Sequence, residues 1–121
     1  MTNITPGMVC AHHHLYSSLA RGMPAPHGKT DSFISILENI WWRIDAALDL
    51  DMIYWSAALG AAEALASGTT CIIDHHESPH AIEGSLATIA KACRDRRGGV
   101  SGGCGDIHAD DPAITHHAKP G

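Results

Sequence analysis

Met8-Val9-Cys10-Ala11-His12-His13-His14 decides how this chain is read, because a short apolar run feeds directly into three consecutive histidines. The run follows Pro6-Gly7 and carries no charge, as a buried strand does. Strand side chains alternate with a period of two, so His12 and His14 share one side and His13 takes the other. The attachment points of the first pair lie roughly 6.5–7 Å apart. Two imidazoles at that spacing can converge on one ion at about 2.0–2.1 Å from each nitrogen. Neutral imidazole suits zinc and similar ions and is cheaper to bury than a charge. A hydrogen-bonded core or loop-edge histidine is the rival reading of an isolated HxH. The position favours the metal, since sites in parallel α/β folds assemble at the C-terminal ends of strands.

Working outward, Thr69-Thr70-Cys71-Ile72-Ile73-Asp74 is a second apolar strand, and it too runs into histidines, His75 and His76. One of these can line the same pocket, and the other faces solvent or packs under a loop. Asp74 is a candidate for orienting a neighbouring imidazole, or else a turn-forming aspartate. Between the strands, residues 22 to 32 hold Gly22, Pro24, Pro26 and Gly28 and read as loop. Phe33, Leu37, Ile40, Trp41, Ile44 and Leu48 recur at helical spacing, with Ser35 and Glu38 offering a capping box if that helix starts late. Asp49 and Asp51 open an alanine-rich helix that ends at Ser67, with Gly68 placed for a left-handed cap. After the loop marked by Ser78-Pro79 and Gly84, a helix runs from Ser85 to about Arg94. Strand, helices, strand, helix, with both strands nearly all apolar, means parallel βα units whose sheet is covered on both faces.

Composition agrees with one small core. Of 121 residues, 45% are hydrophobic, and 13 acidic against 8 basic side chains give a formal charge of −5. That balance argues against a nucleic-acid partner. Lys91, Arg94, Arg96 and Arg97 cluster as a helix end does when it faces solvent. No apolar run of about 18 residues suggests a membrane span, and the start lacks a signal-peptide pattern. Four cysteines without a CxxC pair fit a reducing cytoplasm.

Other metal patterns are weaker. His76-Glu77-Ser78-Pro79-His80 spells HExxH, which works only on a helix, and Pro79 pushes Ser78 away from helical geometry. Cys93, Cys104, His108 and His116 lack the close ligand pair of structural zinc sites. No serine-nucleophile elbow, phosphate-binding loop or dinucleotide fingerprint is present.

Pro6-Gly7-Met8-Val9-Cys10-Ala11-His12-His13-His14-Leu15 resembles the first-strand signature of the amidohydrolase superfamily, in its cytosine deaminase and chlorohydrolase branch. Leu15-Tyr16-Ser17 with Ala20-Arg21-Gly22, Ile40-Trp41-Trp42-Arg43-Ile44-Asp45 with Ala47-Leu48-Asp49, and Ile73-Asp74-His75-His76 with Ser78-Pro79 make it most similar to the aminohydrolases associated with selenium metabolism (the SsnA type). The resemblance covers about residues 6 to 93. It implies the first two βα units of a metal-dependent (β/α)8 barrel, an α/β fold, with His12 and His14 as metal ligands. The cofactor implied is a divalent cation, zinc before iron. Asp74, His75 and His76 stand as substrate-binding or supporting groups. The reaction implied is hydrolysis of a carbon–nitrogen bond other than a peptide bond in a small molecule, such as deamination of an amine or heterocycle by metal-activated water.

A full barrel of this kind needs about 250 residues. The expectation is therefore an N-terminal barrel piece over 1–93, followed by an irregular tail over 94–121 of the kind that out-of-frame translation gives. The competing expectation is a small histidine-based metal-binding module without catalysis. Substrate, catalytic acid–base pair, remaining ligands and oligomeric state are not legible.

Overall fold

The computed structural model describes residues 3–96. Two strands, β1 (Met8–His13) and β2 (Thr69–Asp74), pair in parallel. A parallel pair needs a crossover of a dozen or more residues. Here that crossover holds a 3-10 helix at Leu15–Ala20, α1 (Phe33–Ile36), a π-helical turn at Leu37–Trp41, α2 (Trp42–Ala47) and α3 (Leu50–Ala66). The last described element is α4 (Ser85–Arg96). This is a mixed α/β arrangement of βα units.

Local chemistry sets the boundaries. The Asp49 side chain accepts the Met52 N–H at 2.7 Å and opens α3. Gly68, at φ +82°, ends it in a conformation that side-chain-bearing residues rarely adopt. The first helix starts earlier than Ser35 and Glu38 suggested. Ser32 is its N-cap, and Ser32 and Ser35 satisfy one another's backbone N–H groups in a capping box. A π-helical turn follows, which the apolar spacing does not announce. At the other end, α4 continues through Arg94 to Arg96, beyond the expected stop. Asp95 holds that last turn by accepting from Lys91, four residues back, and from the Tyr54 hydroxyl on α3 at 2.6 Å.

The core lies on the helical side of the sheet. Leu15, Ile53, Ala57, Ile89 and Ala92 are essentially inaccessible there, with α3 packed on both α4 and the 3-10 helix. Small residues let these elements approach closely. A Cβ added at Gly60 would lie 2.7 Å from both Leu15 Cδ2 and Ser18 Oγ. The sheet is less covered than two apolar strands led one to expect, with Met8, Val9 and Ile73 all exposed. Among the described residues nothing packs over those side chains to the same depth as in the helical core. No helix among the described residues is long and apolar enough to cross a membrane. Cys104, His108, His116, His117 and the rest of 97–121 lie outside the described residues.

Candidate functional site

At the C-terminal end of β1, His12 and His14 turn to the same side, and their Nε2 atoms lie 3.0 Å apart. Their rings meet edge to face, with centroids 4.7 Å apart. The Nδ1 of His14 is 3.1 Å from the backbone oxygen of His75. A carbonyl can only accept, so His14 carries its proton on Nδ1 and its Nε2 lone pair is left facing His12. Burial, ahead of the charges of its neighbours, lowers the pKa of His14 and favours the neutral form that binds metals. Two nitrogens on one tetrahedral ion would sit roughly 3.3 Å apart. The pair fits a divalent cation of the zinc or iron type, with a second partner fixing the His14 tautomer as such sites commonly do.

His13 takes the opposite side, as strand alternation requires. Its Cε1 is 3.7 Å from the position a Cβ on Gly60 would occupy, so it lies against α3. Burial lowers its pKa, and its Nδ1 is enclosed without a hydrogen-bond partner among the described residues.

The backbone just beyond the pair is clamped from two elements. The Leu15 N–H donates to Asp74 Oδ1 at 2.7 Å. The Leu15 carbonyl accepts from Ser56 Oγ on α3 at 2.8 Å, and the same hydroxyl accepts the Leu19 N–H at 3.2 Å. His75 N–H also donates to the His13 carbonyl at 2.9 Å, joining the two strand ends. Asp74 therefore holds the main chain beside His14 rather than an imidazole. Asp74 as a whole is 1% exposed. Burial raises its pKa to about 6, against the opposing hydrogen bond from Leu15.

The two histidines after β2 divide as adjacent residues do. The His75 ring sits 5.3 Å from that of His14, beside the pair. His76 is buried below, with Nε2 2.8 Å from Ser78 Oγ and its ring edge-on to Tyr16 at 5.4 Å. Desolvation, then the neighbouring His75, pushes the pKa of His76 down to about 4. Residues 76 to 80 form no helix, so the HExxH spelling has no shared face on which to act.

Three further side chains reach this end of the molecule and were not singled out from the sequence. Tyr16 lies 5.8 Å from His14 and 6.2 Å from Trp41, and Trp41 lies 5.6 Å from His14, all between ring centroids. Asp45 is buried, and desolvation raises its pKa to about 6. Burial, followed by Asp45, raises that of Tyr16. A signal for Asp45 was present: it occupies the inward row Trp41, Ile44, Asp45, Leu48, where a carboxylate is out of place. Among the described residues no group of three or more His, Cys, Asp or Glu is set to hold a metal.

The sequence profile of the amidohydrolase family matches residues 3–115. The chain is 32% identical over 90 residues to 5'-deoxyadenosine deaminase of Methanopyrus kandleri, covering 71% of this chain and 19% of that protein. It is 35% identical over 71 residues to 5-methylthioadenosine/S-adenosylhomocysteine deaminase of Thermococcus sibiricus, covering 59% and 16%. It is 39% identical over 71 residues to 5'-deoxyadenosine deaminase of Methanobrevibacter smithii, covering 59% and 15%. The chain thus spans less than a fifth of the length of these relatives. No solved structure matches it.

Proposed function

This chain belongs to the amidohydrolase family, and from that premise we propose that it provides the first two metal ligands, His12 and His14, of a hydrolase. The proposed reaction cleaves a carbon–nitrogen bond other than a peptide bond in a small molecule, most simply a deamination, as the names of the relatives suggest. The observation that carries this is the convergence of the two Nε2 atoms, with the His14 Nδ1 already engaged by a backbone carbonyl. When bound, a divalent cation supplies Lewis acidity, making water acidic enough to attack near neutral pH and polarising the carbon attacked.

The protein's own groups have distinct parts in this reading. The His75 carbonyl fixes which nitrogen of His14 faces the ion. Asp74 and Ser56 keep the turn after His14 from shifting, which matters because misplacement by about 1 Å can cost some hundredfold in rate. The His75 side chain is the candidate for touching substrate, while His76 supports the wall from below through Ser78 and Tyr16. The exposed side chains of β1 and β2 support a sheet that continues beyond these strands, as the first two βα units of a (β/α)8 barrel would.

Equilibrium dialysis of the full chain against Zn2+ tests the reading. His12→Ala and His14→Ala are each expected to weaken binding at least about tenfold, while His13→Ala leaves it within about twofold. Equal loss in all three, or none in any, would overturn the assignment.

A further inference from the structure

We propose that Tyr16 is a positioning residue for the histidine pair, its buried ring setting the plane of the His14 imidazole and so the direction of His14 Nε2. The proposal rests on the reading of His12 and His14 as metal ligands.

One hydrogen bond does not orient an imidazole. The His14 ring is attached at its Cβ and held at Nδ1 by the His75 carbonyl, 3.1 Å away. About the line through those two points the ring can still swing, and Nε2, which lies off that line, swings with it. A third contact is needed to fix where Nε2 points. His12, Tyr16, Trp41 and His75 all bring rings against His14, at centroid distances of 4.7, 5.8, 5.6 and 5.3 Å. Of these, Tyr16 is buried, at 4% exposure, whereas His12 is exposed and Trp41 and His75 are half-buried. A ring enclosed on its other sides acts as a stop, because close-packed neighbours leave it nowhere to go.

The seat of Tyr16 is correspondingly firm. It lies in the first turn of the 3-10 helix, between two anchored neighbours. Leu15 is gripped by Asp74 and Ser56. Ser17 donates both its N–H, at 3.1 Å, and its hydroxyl, at 2.8 Å, to the His14 carbonyl. The Tyr16 ring meets His14 at 76° and His76 at 83°, the edge-on arrangement that aromatic rings favour. His76 is fixed in turn by Ser78, whose hydroxyl donates to the Ala81 carbonyl at 3.2 Å. Tyr16 thus bridges the histidine after β1 and a histidine after β2, and its hydroxyl end meets Asp45, also buried. Filling this space calls only for apolar bulk. Edge contacts to two imidazoles call for a ring.

The full chain is titrated with Zn2+ by dialysis and with Co2+ by visible absorption, which reports coordination geometry. Tyr16→Leu keeps apolar bulk without the ring, and is expected to weaken Zn2+ binding about tenfold and to move the Co2+ band. Tyr16→Phe, which keeps the ring, holds Zn2+ affinity within about threefold of the parent and the Co2+ band in place. Ile89→Ala opens the core at α4 and should leave both readings as in the parent. Parental readings in Tyr16→Leu, a loss in Tyr16→Phe as large as in Tyr16→Leu, or an equal loss in Ile89→Ala overturns the proposal. If Tyr16→Leu does not fold, NMR of the parent decides. Cross-peaks between the Tyr16 and His14 ring protons should be present without metal and survive addition of Zn2+, and their absence overturns the proposal. A parent chain that binds no Zn2+ overturns the ligand reading and this one with it, whereas Zn2+ binding that Tyr16→Leu leaves untouched overturns this one alone.

Discussion

Ile53 on α3 and Ile89 on α4 retain 0% and 1% of their exposure, whereas Val9 on β1 keeps 63%. Both regions are apolar in sequence, so composition alone does not separate them. The helical side closes on itself because alanines and Gly60 let α3 lie close to α4 and to the 3-10 helix. Among the described residues the sheet has two strands and no comparable layer on Val9 or Met8. Even so, the polar end of the sheet is firmly built, through Asp74 and Ser56 on Leu15. The histidine pair is held through the bond of His14 Nδ1 to the His75 carbonyl and through the grip of Asp74 and Ser56 on the adjoining Leu15.

The largest expected effect falls on the closed side. Ile53→Ala should cost about 2–5 kcal/mol, because it removes a fully enclosed side chain and leaves a cavity. For so small a core that is a large part of the total stability. Urea denaturation followed by circular dichroism measures it. A cost under about 1 kcal/mol would mean that the helical layer is looser than its burial implies.

The clamp comes next. Asp74→Ala leaves the Leu15 N–H enclosed without an acceptor, at a cost of about 1–3 kcal/mol. Asp74→Asn keeps an acceptor there and removes only the charge. The Asp74 carboxyl has its pKa raised from 3.8 to about 6 by burial, so the folded state binds its proton more tightly than the unfolded chain does. Its contribution to stability is fully present below the lower value and is lost as pH rises through the upper one. Asp74→Asn cannot lose it. The stability of Asp74→Asn relative to the parent should therefore climb between about pH 4 and pH 6 and level off above. Buried His76 and Asp45 titrate in both proteins and drop out of the difference. Urea midpoints at pH 4.5 and 7 supply the reading, and a flat or falling difference would break the assignment of Asp74 as a buried, burdened carboxylate.

How much of this was readable from residues follows the range of the forces. The limits of β2, the Asp49 cap and the Gly68 turn depend on neighbours within a few positions, and the sequence displays them. The HxH pair was readable for the same reason, since strand alternation alone puts His12 and His14 together. The apolar spacing begins at Phe33, where the helix does start, so the condition for a Ser35–Glu38 capping box is not met and Ser32 caps instead. The π-helical turn depends on Asn39 meeting the loop at Lys29, a tie that periodicity does not encode. Trp41, Tyr16 and Asp45 were missed because their meeting depends on how α2 packs beside the strand ends. The partners of Asp74 were hidden likewise, since Leu15 lies 59 positions away in the chain.

The smallest effect is expected on the open side. Val9→Thr replaces a branched apolar side chain by one of nearly the same shape with a hydroxyl, a change that is costly where a side chain is enclosed. At 63% exposure the hydroxyl can reach water. Its β-branched form still suits a strand, so the cost should stay within about 0.5 kcal/mol. The measurement is the urea midpoint at two chain concentrations well apart. A loss above about 1.5 kcal/mol at both would place Val9 under cover within one chain and erase the contrast with Ile53. A loss that grows with concentration would place the cover on a second copy, since only association makes apparent stability depend on how much protein is present. Open strand edges of this sort are where such pairing starts.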